Sequence, residues 1–203
     1  EQFDIYGIEL SEADFPQPLP ANYHRIDHHN DFAGKPAAIE QIADILNIEL
    51  TEYQKLVAAN DSGYIPAMQR LGATQERIDE IRRKDRAAQG VTDEDERKAE
   101  ISISEHLQQQ GDLLVVKSLT PRFSTITDRL FPYKKLLIYT DNELTCYGEG
   151  KNLLVEHYQK EISEGKMYHG GGENGYFGVG NMAYQNTELV KIKETIIQII
   201  KQQ

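Results

Sequence analysis

Short β-forming runs alternate along this chain with longer stretches whose apolar residues repeat every three to four positions, and that alternation points to an α/β fold. "FDIYGIEL" (3–10) and "YHRID" (23–27) are rich in β-formers and read as strands. Between them, "SEADFPQPLP" reads as a loop, because its prolines leave few backbone donors for helix or sheet. "KPAAIEQIADILN" (35–47) reads as a helix. Pro36 suits its first turn, Ile39, Ile42, Ala43 and Leu46 share a face, and Asn47 suits its C-terminal cap. Thr51 and Gln54 form a capping box for a second helix, which delivers Asp61 in "NDSGYIP". Residues 74–89 read as a third helix, with acids early and bases late as the helix dipole prefers. A fourth is expected over 93–110, opening at Thr92.

After Gly111 the texture changes. "DLLVVKSL" reads as a strand, and "TPRFSTITDRLF" as a helix capped by Thr120 with Pro121 at its first position. "KKLLIYTDNELTCYG" reads as a hairpin turning near Asp141 and Asn142, and "KNLLVEHYQKEI" as a helix. "YHGGGENGYFGVGN" reads as a glycine-rich loop, and "TELVKIKETIIQIIKQQ" as a final helix. The expected division is residues 1–98, a helical connector over 99–111, and 112–203.

Bulk properties narrow the function classes. No apolar run approaches the ~20 residues that span a bilayer, so no membrane association is expected. The net charge of −11 argues against binding duplex nucleic acid, which needs a basic face. It leaves room for a small anionic substrate, because a bound divalent ion supplies positive charge locally. The single cysteine, Cys146, allows neither an intramolecular disulfide nor a cysteine zinc cluster, and a reducing cytoplasmic location is expected.

"YHRIDHHND" (23–31) sets Asp27, His28 and His29 at the end of a strand, where open α/β sheets bind ligands. Imidazole with carboxylate suits Mn²⁺, Fe²⁺ or Zn²⁺, and Asp61 can return to the same sheet edge after two helical patterns. Adjacent side chains on a regular strand point to opposite faces, so three consecutive ligands cannot share one ion from a strand. By themselves these residues leave both a metal site and a set of surface polar groups open.

"IDHHND" resembles the motif of the DHH phosphoesterase superfamily, which includes RecJ-type exonucleases, nanoRNases, cyclic-dinucleotide phosphodiesterases and family II pyrophosphatases. The likeness extends through two helical patterns to Asp61-Ser62-Gly63, which matches the family's Asp-Thr-Gly-like motif. It continues to "HGGGENGYFGVG", similar in placement to the triple-glycine motif of the DHHA1-like domain. The resemblance implies a mostly parallel sheet flanked by helices, with a smaller mixed α+β domain after it. It implies hydrolysis of a phosphoester or phosphoanhydride bond in a small phosphorylated or nucleotide substrate by a water activated between two metals, Mn²⁺ first, with Mg²⁺ or Co²⁺ as alternatives.

By carry-over, His28 and Asp61 hold metal, Asp27 holds metal or orients the neighbouring imidazole, His29 contacts metal or the substrate phosphate, and Asp27 and His29 carry the catalysis. His169, Gly170, Gly171, Gly172 and Glu173 meet the substrate, and a homodimer is compatible. The chain departs from the family in three places, one of them "TCYGEG", which stands where the family has an Arg-containing strand. No upstream acidic cluster precedes the motif, although Glu9 stands near the second acidic position and can serve as a bridging carboxylate. Glu173 stands where the family has histidine. With the chain opening at Glu1, the expectation is that an upstream acidic strand is missing from it. The alternative expectation is a catalytically impaired nucleotide- or metal-binding module of the same fold.

Overall fold

The computed structural model describes residues 3–11, 18–29, 32, 34–171, 175–180 and 182–202. The chain is α/β and divides into two compact units, Glu1–Asp85 and Arg86–Gln203. In the first unit, β1 (Ile5–Ile8) and β2 (Tyr23–Ile26) pair in parallel, with Ile8 opposite Ile26. Helices α1 (Ala38–Leu46), α2 (Glu52–Arg70) and α3 (Gln75–Ala88) follow. The division between the units falls inside α3.

The expected caps form. Asn47 takes φ 51°, and the N–H of Ile48 reaches back to the carbonyl of Ala43 at 3.0 Å. Thr51 and Gln54 exchange their capping-box bonds. Helix α2 is interrupted at Gly63 and at Tyr64, which has φ 57°. Pro66 follows directly, in the first turn of the resumed helix, where a missing N–H removes no intrahelical bond. Ile26, Ala58, Met68, Ile78 and Ile81 are buried in this unit.

The second unit begins within α3 and continues with α4 (Asp93–His106), β3 (Leu107–Gln110), β4 (Leu113–Lys117), α5 (Ser124–Leu130), β5 (Lys135–Tyr139) and β6 (Leu144–Gly148). Helices α6 (Lys151–His157) and α7 (Gln159–Ser163), strands β7 (Met167–Gly170) and β8 (Tyr176–Val179), and α8 (Asn186–Lys201) complete it. Its six strands lie in the order β3-β4-β5-β6-β8-β7. Successive residues of β4 and β5 face opposite layers. Leu113, Val115 and Leu137 pack with Leu154, Leu189 and Ile196 of α6 and α8. Val116, Leu136 and Ile138 pack with Ala99 of α4 and Ile126 of α5. Covered on both faces, these strands read as continuous apolar runs rather than alternating ones.

Several expectations change. Parallel pairing occurs at β1–β2 and β4–β5, while the remaining pairs of the six-stranded sheet are antiparallel. A parallel pair needs a long crossover, and the segment carrying α5 supplies one between β4 and β5. The C-terminal unit is the larger one, not the smaller. Residues 107–110, expected to be helical, form β3, because Gly111 at φ 70° turns the chain and the edge of β4 accepts them. Helix α4 packs on β4 and α5, with Ala99 fully buried, rather than serving as a connector. Helix α5 starts at Ser124, not at Thr120. The expected helix over 151–162 is split at Tyr158.

Thr120 is instead a partner of α4. Its hydroxyl donates to Asp95 Oδ1 at 2.6 Å, while the other Asp95 oxygen caps the helix through Thr92. The hydrogen bonds from Thr120 and then Thr92 hold the Asp95 carboxyl down at about 2. A depressed folded-state pKa contributes stability that is present above the ordinary value near 3.8 and lost as pH falls through about 2. Asp95→Asn is therefore expected to cost about 1–2 kcal/mol at pH 7. In thermal melts the gap from the parent chain should narrow between pH 4 and pH 2, and a gap independent of pH would contradict this. Among the described residues, no helix is long and apolar enough to cross a membrane.

Candidate metal centre

Strands β1 and β2 run in parallel and therefore end at the same edge. Past that edge stand Glu9 on one strand and Asp27, His28 and His29 on the other. Glu9 donates its backbone N–H to the Ile26 carbonyl at 2.9 Å and then turns with φ 49°. That is an uncommon backbone for a residue other than glycine, asparagine or aspartate. Ile26, 3% exposed, anchors the end of β2. Gln41 of α1 donates to the Asp27 carbonyl at 3.1 Å and to the Pro36 carbonyl at 2.8 Å, fixing the segment from the helix side.

The strand stops at Ile26, and this resolves the problem of consecutive ligands. One Asp27 oxygen accepts the His29 backbone N–H at 2.9 Å and lies 3.1 Å from His29 Nδ1. That turn removes the alternation of an extended strand, so the two imidazoles stand side by side with centroids 4.2 Å apart. The hydrogen bond from the His29 backbone is the main cause holding the Asp27 carboxyl below its ordinary range. Asp27 thus meets His29, orienting its ring.

His28 is 9% exposed and faces a carboxylate on each side. Its Nδ1 lies 3.3 Å from Glu9 Oε1, and its Nε2 lies 3.5 Å from Asp61 Oδ2. Neither buried ring nitrogen has a hydrogen-bond partner among the described residues. A buried polar atom left unmatched costs about 1–3 kcal/mol. Glu9, His28 and His29 each offer a ligand atom, all within 4.8 Å of one another. Neighbouring ligands of an ion held at ~2.1 Å lie roughly 3–3.5 Å apart, so a small inward movement closes the set. The group presents two imidazole nitrogens and a carboxylate oxygen, and it fits a divalent transition-metal ion.

No protein-family model matches this chain, and no curated protein matches its sequence.

The structure thus brings Glu9, His28 and His29 together, with Asp61 against the second nitrogen of His28 and Asp27 against His29. The residues expected to meet substrate lie in the second unit. His169 is exposed on β7, Gly170 ends that strand, and Gly171 turns with φ 72°. Gly172 and Glu173 fall outside the described residues, as do Asn30 and Asp31 beside the histidines.

The glycine-rich segment was expected to be a loop, but much of it is a β-hairpin in which Gly170 pairs with Tyr176 and Gly178 with Tyr168. A Cβ at Gly170 would sit 2.5 Å from the Tyr176 hydroxyl, and one at Gly178 would sit 2.2 Å from the Tyr168 ring. These two glycines make room for cross-strand tyrosines, a packing reason for their presence. Phe177 is fully buried and stacks on Tyr158, so it serves the core.

Gln41 was not among the candidate residues. Its only signal is a polar side chain beside the apolar stripe of α1. Phe32, next to the histidines, carries Arg25 at 5.0 Å and Lys35 at 4.5 Å over its ring. Spacing alone gives no sign of that cluster.

Proposed function

We propose that this chain is a metal-dependent phosphoesterase of the DHH type, acting on a small phosphorylated or nucleotide substrate. The observation that carries the reading is the nearly buried His28, flanked by Glu9 and Asp61 and set beside His29 at the C-terminal ends of two parallel strands. In this reading the β1–β2 pair belongs to a mostly parallel sheet of DHH type. The exposed Ile5, Tyr6 and Ile8 of β1 are the surface that such a sheet would cover.

Glu9, His28 and His29 would hold the ion. Asp61 Oδ2 faces the far nitrogen of His28 at 3.5 Å, and Asp27 meets His29, where carboxylates that orient ligating imidazoles stand. A donor set with two imidazoles favours Mn²⁺ or Co²⁺ over Mg²⁺, which prefers oxygen. When bound, divalent ions of this kind lower the pKa of a water towards neutrality and offset charge on phosphoryl oxygens. The chain's own groups keep the imidazoles oriented, and Arg25 and Lys35 bring positive charge to the same segment.

The test is hydrolysis of short oligoribonucleotides and cyclic dinucleotides with and without added Mn²⁺. Mn²⁺-dependent release of mononucleotide is expected. Absence of turnover on both substrates, together with absence of Mn²⁺ binding, would sink the reading. A second reading is a nucleotide- or metal-binding module of the same fold. The ligand group among the described residues has three members, enough for one ion and short of the two-metal set. Mn²⁺ binding by calorimetry without turnover would favour this module.

A further inference from the structure

We propose that Arg82 is a positioning residue for the metal centre, gripping α2 before its break and within it, and so setting Asp61 against His28. Its role in metal binding rests on the reading above, whereas its effect on Asp61 does not. Asp61 lies two residues before the interruption at Gly63 and Tyr64. A helix interrupted there has no continuous ladder of backbone hydrogen bonds to hold the direction of its preceding turn. Within α2, Ser62 Oγ ties that turn back to the Ala58 carbonyl at 2.9 Å, and a contact from another element fixes its direction further.

Arg82, on α3 and 8% exposed, reaches that point. Its guanidinium donates to Asn60 Oδ1 at 3.0 Å, directly before Asp61. Its Cζ stands 4.5 Å over the ring of Tyr64, the second residue of the break. The same group donates to Asp85 Oδ2 at 2.5 Å, which fixes the side chain along its own helix. One planar cation therefore meets the residues at both ends of the Asp61–Gly63 segment. An exposed i,i+3 pair with Asp85 would need neither the burial nor the two contacts on α2. A flat, fork-shaped donor can stack and hydrogen-bond at once, which a lysine ammonium cannot.

The test uses the full chain. In metal-free protein, the ¹⁵N signal of His28 Nε2 reports its carboxylate neighbour. Asp61→Asn is expected to shift it, and Arg82→Gln to shift it in the same direction. The double variant should go no further than Asp61→Asn alone, because both changes act through one contact. Asp85→Asn should lower the melting temperature while leaving the His28 signal in place. If Arg82→Gln does not fold, Arg82→Lys retains the charge beside Asp85 and is expected to give the same shift.

In Mn²⁺ titrations of the same variants, Arg82→Gln should weaken binding about 10-fold, in the range seen when groups behind metal ligands are removed. An unchanged His28 signal in both Arg82 variants overturns the proposal, as do shifts that simply add in the double variant. Should the parent chain bind no Mn²⁺, the metal reading fails, while the metal-free signal still decides whether Arg82 sets Asp61.

Discussion

His28→Ala is expected to weaken Mn²⁺ binding by on the order of 100-fold or more, because it removes the group on which the centre converges. The ring of His28 separates Glu9 from Asp61 and faces both. Without it the two carboxylates oppose each other with no donor between them, and His29 with Glu9 makes too small a set for a tight site. Asp27→Asn should be milder, about 10-fold, since Asp27 orients His29 rather than joining the ligand group. His24→Ala serves as the control. That histidine is exposed, pairs with Asp4 and stacks on Tyr6, so Mn²⁺ affinity should not change. Calorimetry decides: equal Mn²⁺ affinity in the parent chain and His28→Ala would falsify the assignment of the centre.

Arg86→Ala is expected to destabilise the second unit by about 3 kcal/mol, at the lower end of the cost of stranding a buried charge. Arg86 is 7% exposed and binds Glu96 through Nε at 2.8 Å, and its other arm donates to the nearly buried Asp128. Burial pushes the Glu96 carboxyl up, and the hydrogen bonds from Arg129 and Arg86 more than offset this, holding it below its ordinary value. Removing Arg86 leaves Glu96 with Arg129 alone at 2.5 Å and takes a buried cation away from Asp128.

The size of the loss comes from carboxylates deprived of a buried cation, not from the worth of the pair. Arg86→Met combined with Asp128→Leu should therefore recover much of the stability lost by Arg86→Met alone. The exposed Arg97 and Glu94 provide the contrast, because breaking such a surface pair costs about 0.5 kcal/mol or less. Urea melts of the variants would measure each loss. A loss from Arg86→Ala no larger than that from Arg97→Ala would contradict the ranking.

Local chemistry made a good part of the fold legible. The capping boxes at Thr51 and Thr92 and the left-handed Asn47 involve groups within a few residues of one another, so their geometry follows from sequence. The hairpin of β5 and β6 was equally visible, since its two apolar runs flank a polar turn. Expectations failed where a neighbour distant in sequence decided the outcome. Leu107–Gln110 became a strand because β4 had an edge to fill. Thr120 lost its place as a helix cap because Asp95 was within reach of its hydroxyl. The glycines of the β7–β8 hairpin looked free in sequence, yet two of them lie beneath tyrosines on the opposite strand.

The same division runs through the candidate centre. Sequence alone determined the candidate side-chain types and their place at the end of β2, because side-chain chemistry and β propensity are written residue by residue. It could not determine the partners, which come from other elements. Glu9 arrives because β1 runs parallel to β2 and ends beside it. Asp61 arrives because α2 returns to that edge and breaks just beyond it. Whether adjacent histidines diverge or stand together depends on where the strand stops. The Asp27 turn decides that, and only the tertiary structure shows that it brings both rings to one side.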